Sequence, residues 1–448
     1  MNKVKTSLIR KLLHTRSISR AARALEKTAN ADIADLFGSL SPGEFTALVE
    51  VLIHAGRAGR VMTEIPEDYL PAILEKLTEE QLVRVLSMMP ADDGVYLILS
   101  LEEEQRAPIL SQLTFAQRSA IEQILTYPEE SAGRLMTKDY LAYPIHQTAN
   151  DTIELVRDKS DAYDTLYHIY VVDDEDHLLG YIPLRRLVAT GPTRTLGEIM
   201  VHNPISVSAL IDQEEAAQLV ARHNLLAIPA VDEHHRLVGV ITVDDVIDVI
   251  QEEATEDMYK LAGLGEGDRV FSPITASVRR RIPWNLMNML TAFLAATVVG
   301  MFEGVIAEYV VLATFMPVVA GMSGNTGIQT LTVVTRGIAL GEIQFSTGLR
   351  AIAKEVSVGI TIGILVGLLT AVIAFLWKGN PMLGLVLVLA MICNMTLAGL
   401  LGAAIPIGLK FLKQDPALGG GVILTAFTDS LGFLTFLGLG ALLMGTML

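Results

Sequence analysis

The sequence predicts a multi-domain membrane protein. A body of α-helical repeats is followed by a tandem α/β pair, an acidic linker helix and a five-helix α transmembrane domain. Three observations predict it. Charge is unevenly divided: residues 1–270 hold 44 of the 50 acids and 25 of the 34 bases, a net of −19, whereas residues 271–448 carry a net of +3. Five apolar runs long enough to cross a bilayer crowd into that C-terminal part. The acidic part is built from two kinds of internal repeat. So acidic a body argues against nucleic acid as a partner and for cations.

The first repeat occupies a domain predicted over 1–132. DLFGSLSPGEFTALVEVL (35–52), AILEKLTEEQLVRVLSMM (72–89) and PILSQLTFAQRSAIEQIL (108–125) share a helix, a turn and a second helix. Their junctions, Leu40-Ser41, Leu77-Thr78 and Leu113-Thr114, are 37 and 36 residues apart. A Ser or Thr followed closely by Glu or Gln is a helix N-cap signal. A period in this range reads as a small stack of helical hairpins.

The second repeat falls in 133–251. HIYVVDDEDHLLGYIPLRRL (168–187) aligns with AIPAVDEHHRLVGVITVDDV (227–246) at a constant offset of 59. Each copy reads as an apolar strand, an acidic turn, a second strand and a helix. His234 and His235 fall in the turn, where solvated residues outweigh metal ligands. The copies resemble a tandem pair of CBS domains. Thr242 and Asp245 match the pattern with which many such domains hold a nucleotide ribose. The first copy has Pro183 and Arg186 there, so the resemblance implies at most one adenine nucleotide site.

The acidic connector follows, with a linker domain predicted over 252–277. Asp244, Asp248, Glu252 and Glu256 stand four residues apart and form one helical stripe. Asp245, Glu253 and Asp257 form most of a second. Like charges at this spacing destabilise an isolated helix by a few tenths of a kcal/mol per pair, and no lysine or arginine lies between Arg236 and Lys260. A solvated acidic face is one reading and a divalent-cation site is the other. Oxygen ligands without a His or Cys cluster point to a hard ion such as Mg²⁺ or Ca²⁺. Asp92 and Asp93 in MMPADDG are further candidates, or else turn and cap residues.

The membrane domain, 278–448, holds spans predicted at Trp284–Gly304, Val310–Val334, Val356–Trp377, Leu383–Leu409 and Val422–Met447. Arg279, Arg280, Arg281, Arg336, Arg350, Lys354, Lys410 and Lys413 flank one side, and only Lys378 the other. That bias puts the soluble body in the cytoplasm and the C-terminus outside. The N-terminus (MNKVKTSLIRKLL) reads as an amphipathic helix rather than a signal peptide, so insertion falls to the C-terminal helices. The single cysteine, Cys393, excludes a disulfide within the chain.

Within span two, PVVAGMSGNTGIQ (317–329) is poor material for a lipid-facing helix. Backbone can loosen at membrane depth only where protein or a water-filled cavity satisfies it. Gly321, Gly324 and Gly327 also suit a helix-packing seam. Asp429 shifts the balance toward a pore. It is the only acid in Val422–Leu448, and a carboxylate at mid-membrane costs roughly 2.5–3.5 kcal/mol. The other acids of this part (Glu303, Glu308, Glu342, Glu355 and Asp415) are expected near helix ends.

Over essentially its whole length the chain resembles the MgtE family of magnesium channels. The matching motifs are RIPWNLMNMLTAFL at span one, PVVAGMSGNTGIQTLTVVTRGIALGEI across span two and DPAL…T…D in Asp415–Asp429. The resemblance implies a homodimer in the cell inner membrane, with a pore on the two-fold axis. Asp429 would form the ion site, with Gly324, Asn325 and Gly321 beside it. Acids of the cytosolic domains would bind Mg²⁺ and hold the pore shut. Two departures stand out: Gly419-Gly420-Gly421 after DPAL, and Gln251 where relatives are often acidic. A secondary transporter coupled to H⁺ or Na⁺ is the alternative, against which no inverted repeat of broken helices is visible. The spans hold no histidine and the chain no Walker A loop, so no enzyme activity is expected.

Overall fold

The computed structural model describes all residues except 1–2, 67–68, 160–165, 265–267, 269, 271, 344–345, 419 and 446–448. The chain forms two compact units, Met1–Glu252 and Glu253–Leu448. Helix Val243–Leu261 runs through the boundary between them.

The first unit opens with short helices whose starts are those the Leu-Ser/Thr junctions mark. Ser41, Thr78 and Thr114 are the N-caps of Pro42–His54, Glu79–Leu86 and Phe115–Leu125. The Ser41 amide donates to Glu44 Oε2 at 2.7 Å, and the Gln81 amide donates to Thr78 Oγ1 at 3.3 Å. Each cap satisfies a backbone donor that the first turn leaves open. The apolar faces thus started meet in one core that includes Leu48, Leu52, Ile73, Leu82, Ile98 and Ile121.

Two small sheets follow. The first orders β1 (Leu141–Pro144), β2 (His168–Val172), β3 (Leu178–Pro183) and β4 (Val201–His202). The second orders β5 (Val207–Ser208), β6 (Ala227–Val231) and β7 (Leu237–Thr242). The offset of 59 holds down to irregularities. Both central hairpins shift register at corresponding residues, Val171/Val172 and Ala230/Val231. Both turns place a residue at positive φ, Asp176 at 65° and His235 at 63°. Asp232 accepts the backbone N–H of His234 and of Arg236, at 2.9 and 2.8 Å. Both histidines therefore belong to an Asp-stabilised turn.

Among its described residues the second unit holds five helices long and apolar enough to cross a membrane: Ile274–Gly300, Val311–Ala339, Gly348–Lys378, Pro381–Phe411 and Gly420–Gly445. Span one differs from its expected bounds. It begins ten residues earlier, and it ends before Gly304, which belongs to a separate short helix, Glu303–Glu308. Arg279–Arg281 therefore lie inside the helix, which basic residues at a span end permit because long side chains reach the interface. At the other end of the membrane unit, Trp377 stacks edge-on against Phe315 with centroids 5.9 Å apart, and Lys378 Nζ lies 4.5 Å over the Trp377 ring. Aromatic and basic residues together favour the interface between lipid and water.

Spans three and four pack backbone to backbone. A Cβ added at Gly359 would meet the Met395 carbonyl oxygen at 2.3 Å, and one at Gly363 would meet Ile392 Cα at 2.8 Å. Small residues permit this approach, and close van der Waals packing is what joins helices in lipid. Gly359→Val should therefore lower stability by about 1–3 kcal/mol through overpacking. Gly324→Ala, where nothing lies within 4 Å, should leave it unchanged. Thermal unfolding of both variants in detergent checks the contrast.

Candidate functional site

The first unit contains an acid-walled cavity of about 830 Å³. Glu64, Asp92, Asp93, Asp139, Asp244, Asp245 and Asp248 line it, and among its described lining Arg60 is the one arginine or lysine. Helix Ala91–Leu99 contributes Asp92 and Asp93 in its first turn, and helix Val243–Leu261 contributes Asp244 and Asp245 likewise. First-turn acids are favoured by the helix dipole, so each pair is locally tolerable. Their convergence is the difficulty. Burial pushes Asp92 well above the usual carboxylate range, reinforced by Asp93 and Asp245. Burial, then Asp245 and Asp139, push Asp93 to about 7. Asp245 is also raised by burial, although the Thr242 hydroxyl donates to it.

Thr137 Oγ1 donates to Asp92 Oδ1 at 3.3 Å, tying the helical domain to the α/β pair. Among the described residues no three carboxylates or imidazoles converge closely enough to form a metal cage. The acids line a wall of oxygen donors that a hydrated hard cation fits, because Mg²⁺ usually keeps several waters. Thr242 and Asp245 share this cavity with Tyr167, His168 and Tyr170.

Of the remaining linker acids, Glu252 closes the first unit and Glu253, Glu256 and Asp257 belong to the second. Lys260 pairs with Glu256 on its own helix and with Asp415 of the DPAL segment at 2.6 Å. Asp257 is pushed up to about 6 by burial, then by Asp415 and Glu253. The chain after the helix turns at Gly263, whose φ is 66°. A Cβ at Gly421 would lie 2.7 Å from the Leu261 carbonyl oxygen. The glycine departure after DPAL thus admits the end of the linker helix against the start of span five; Gly419 itself lies outside the described residues. Gln251 is exposed.

At membrane depth the structure corrects the expectation of loosened backbone. Val311–Ala339 is one helix through Pro317 and through Gly324-Asn325, although Pro317 has no N–H to offer the Ala313 carbonyl. The three glycines divide their roles. Gly327 packs on Leu424 of span five, where a Cβ would meet Leu424 Cδ2 at 3.0 Å, while Gly321 and Gly324 have nothing within 4 Å. Asn325 is exposed on the same helix. Asp429 is half-buried, and among the described residues no hydrogen bond or ion pair reaches its carboxylate. Glu355 also departs from expectation. It is 5% exposed, accepts from Thr330 Oγ1 at 3.3 Å and pairs with Lys354.

Sequence reasoning missed Glu64 and Asp139, which lie far from the stripes in sequence and join them only by folding. It also missed Asn394, whose amide in an apolar span was the available signal.

Family models match three parts of the chain. The MgtE intracellular N domain matches residues 28–130, CBS domains match 132–190 and 196–252, and MgtE, described as a divalent cation transporter, matches 316–439. The protein named magnesium transporter MgtE from Bacillus subtilis is 34% identical over 376 residues, covering 84% of this chain and 83% of the relative. The chain belongs to the MgtE family. The MgtE protein of Thermus thermophilus is 33% identical over 329 residues, 73% of each chain. A crystal structure of the soluble part of a magnesium transporter superposes with a TM-score of 0.53 at 28% identity, covering 56% of this chain and 99% of that one. As an MgtE-family protein with five membrane-crossing helices, the chain is an integral membrane protein.

The raised carboxylates set a pH dependence. Asp93 holds a proton in the folded unit that the unfolded chain releases, so its contribution to stability is lost as pH rises through about 4 to 7, and Asp92, also raised, acts in the same direction. A fragment of residues 1–270 should therefore melt lower at pH 8 than at pH 5.5, and Mg²⁺ should recover the difference at pH 8. Asp92→Asn with Asp93→Asn should flatten both responses in thermal unfolding.

Proposed function

We propose that this chain is a Mg²⁺ channel that imports magnesium across the cytoplasmic membrane and closes when cytosolic Mg²⁺ is ample. The observation that carries the reading is Asp429, an acid on an apolar span with no protein partner among the described residues. Such a group wants either a proton or a cation. Gly321 and Gly324 leave open space on span two and Asn325 offers an amide. One carboxylate and one amide per subunit, set around the axis of a homodimer, suit a largely hydrated Mg²⁺ better than a dehydrating cage. The relatives' name, magnesium transporter, supports the same ion.

Asp92, Asp93, Asp244, Asp245, Asp248 and Glu252 on the first unit, and Glu253, Glu256 and Asp257 on the second, are the regulatory Mg²⁺ ligands in this reading. Mg²⁺ must bind the closed arrangement more tightly than the open one, since equal binding shifts nothing. A near-complete switch requires about 5.5 kcal/mol, within reach of several weak sites together. Thr242 and Asp245 would hold the ribose of an adenine nucleotide. The arginine and lysine bias puts the N-terminus in the cytoplasm and the C-terminus outside, in the cell inner membrane.

Asp429→Ala should reduce Mg²⁺ uptake by proteoliposomes to that of empty liposomes while the dimer survives size-exclusion chromatography. Normal uptake by this variant refutes the pore assignment, and parent uptake that follows an imposed proton gradient marks a coupled carrier instead. Replacing Asp244, Asp248, Glu252 and Glu256 by their amides should leave the channel open at millimolar Mg²⁺ that closes the parent. A variant closed at all Mg²⁺ concentrations would assign these acids to repulsion rather than ligation.

A further inference from the structure

Span four contains one amide, Asn394, and no charged residue between Pro381 and Leu409. Asn394 is 2% exposed, so its four hydrogen-bonding positions must be answered by protein. Its Nδ2 donates to the carbonyl of Gly432 on span five at 3.2 Å. Its Oδ1 accepts from the Thr435 hydroxyl, one turn further along that helix. Gly432 is the meeting point of three helices: a Cβ there would lie 3.7 Å from Asn394 Nδ2 and 3.7 Å from Ser323 Oγ of span two. Ser323 is 1% exposed and directly precedes Gly324. Gly432 follows Asp429 by three residues, so the two share a helix face.

We propose that Asn394 is the positioning residue of the ion site, fixing the rotation of span five and with it the direction in which Asp429 is presented. The inference rests on Asp429 being the ion ligand. A side-chain carboxylate rides about 5–6 Å from its helix axis. A rotation of about 20° therefore displaces it by roughly 2 Å, well beyond the ~0.5 Å tolerance of a preorganised site. Apolar packing in lipid resists such a rotation weakly, because sliding one methyl past another leaves no polar group unpaired. Two hydrogen bonds from one buried amide to positions 432 and 435 resist it directly, since turning the helix strands the amide in an apolar surrounding. Asn394 contacts no ion; it acts through span five.

The test uses full-length protein in proteoliposomes and planar bilayers. Asn394→Leu removes both hydrogen bonds at near-constant volume, Thr435→Val removes one, and Thr435→Ser retains the hydroxyl. Asn394→Leu and Thr435→Val should each raise the half-saturating Mg²⁺ and lower the Mg²⁺ over Na⁺ permeability ratio, by about tenfold for the full loss, as for other residues that orient a metal ligand. Thr435→Ser should match the parent. The double variant should be no worse than Asn394→Leu alone, because both act through one network. If Asn394→Leu fails to fold, the Thr435 pair carries the comparison. Variants that lose thermal stability or yield but keep the parent's half-saturation and permeability ratio overturn the proposal, leaving Asn394 as helix glue. Asp429→Asn measured alongside separates the two claims. Parent-like behaviour of Asp429→Asn sinks the ion-site reading itself, whereas a dead Asp429→Asn beside a parent-like Asn394→Leu sinks only the positioning role.

Discussion

Negative charge without a matching base is the constraint on which this structure turns. It occurs twice, in two solvents. At bilayer depth Asp429 stands alone on its span, where desolvation works against the ionised form. In the first unit seven carboxylates share a cavity wall with one guanidinium, and burial together with mutual repulsion raises Asp92 and Asp93. Neither arrangement serves stability, since isosteric amides would avoid the cost of both. The proposed function assigns a divalent cation to each, as cargo in one place and as signal in the other.

The linker helix carries different chemistry at its two ends. Its first turn carries Asp244 and Asp245 on the cavity wall. Its last turn carries Lys260, paired with Asp415, and ends with the Leu261 carbonyl over Gly421 at the start of span five. Nineteen residues of helix span about 28 Å. Like charges along the stripe weaken this helix in isolation.

Much of this was legible in the sequence because the signals were local or periodic. The 59-residue offset was exact enough to match register shifts in the two hairpins, and each Leu-Ser/Thr junction became a helix cap. Long apolar runs gave five spans. The end of span one was misjudged because apolar composition continues through Met301 and Phe302, where the helix stops and a short second helix begins. The looseness expected of PVVAGMSGNTGIQ did not appear: Val311–Ala339 stays helical through it, with Gly327 packed on Leu424 and open space beside Gly321 and Gly324. Glu355 was placed near a helix end, yet it lies in the eighth position and is buried against Thr330. The acid cavity was only half visible. Stripes reveal residues on one helix, but Glu64 and Asp139 come from segments that meet the stripe in three dimensions, and no spacing rule announces such a meeting.

Current through purified parent protein in a planar bilayer, recorded while Mg²⁺ on the side of the soluble body is raised, tests the central claim most directly. Inward current that reverses at the Mg²⁺ equilibrium potential and shuts as Mg²⁺ on that side reaches the millimolar range is the expected result. Transport that ignores Mg²⁺ on that side, or that stops when a proton gradient is collapsed, contradicts it.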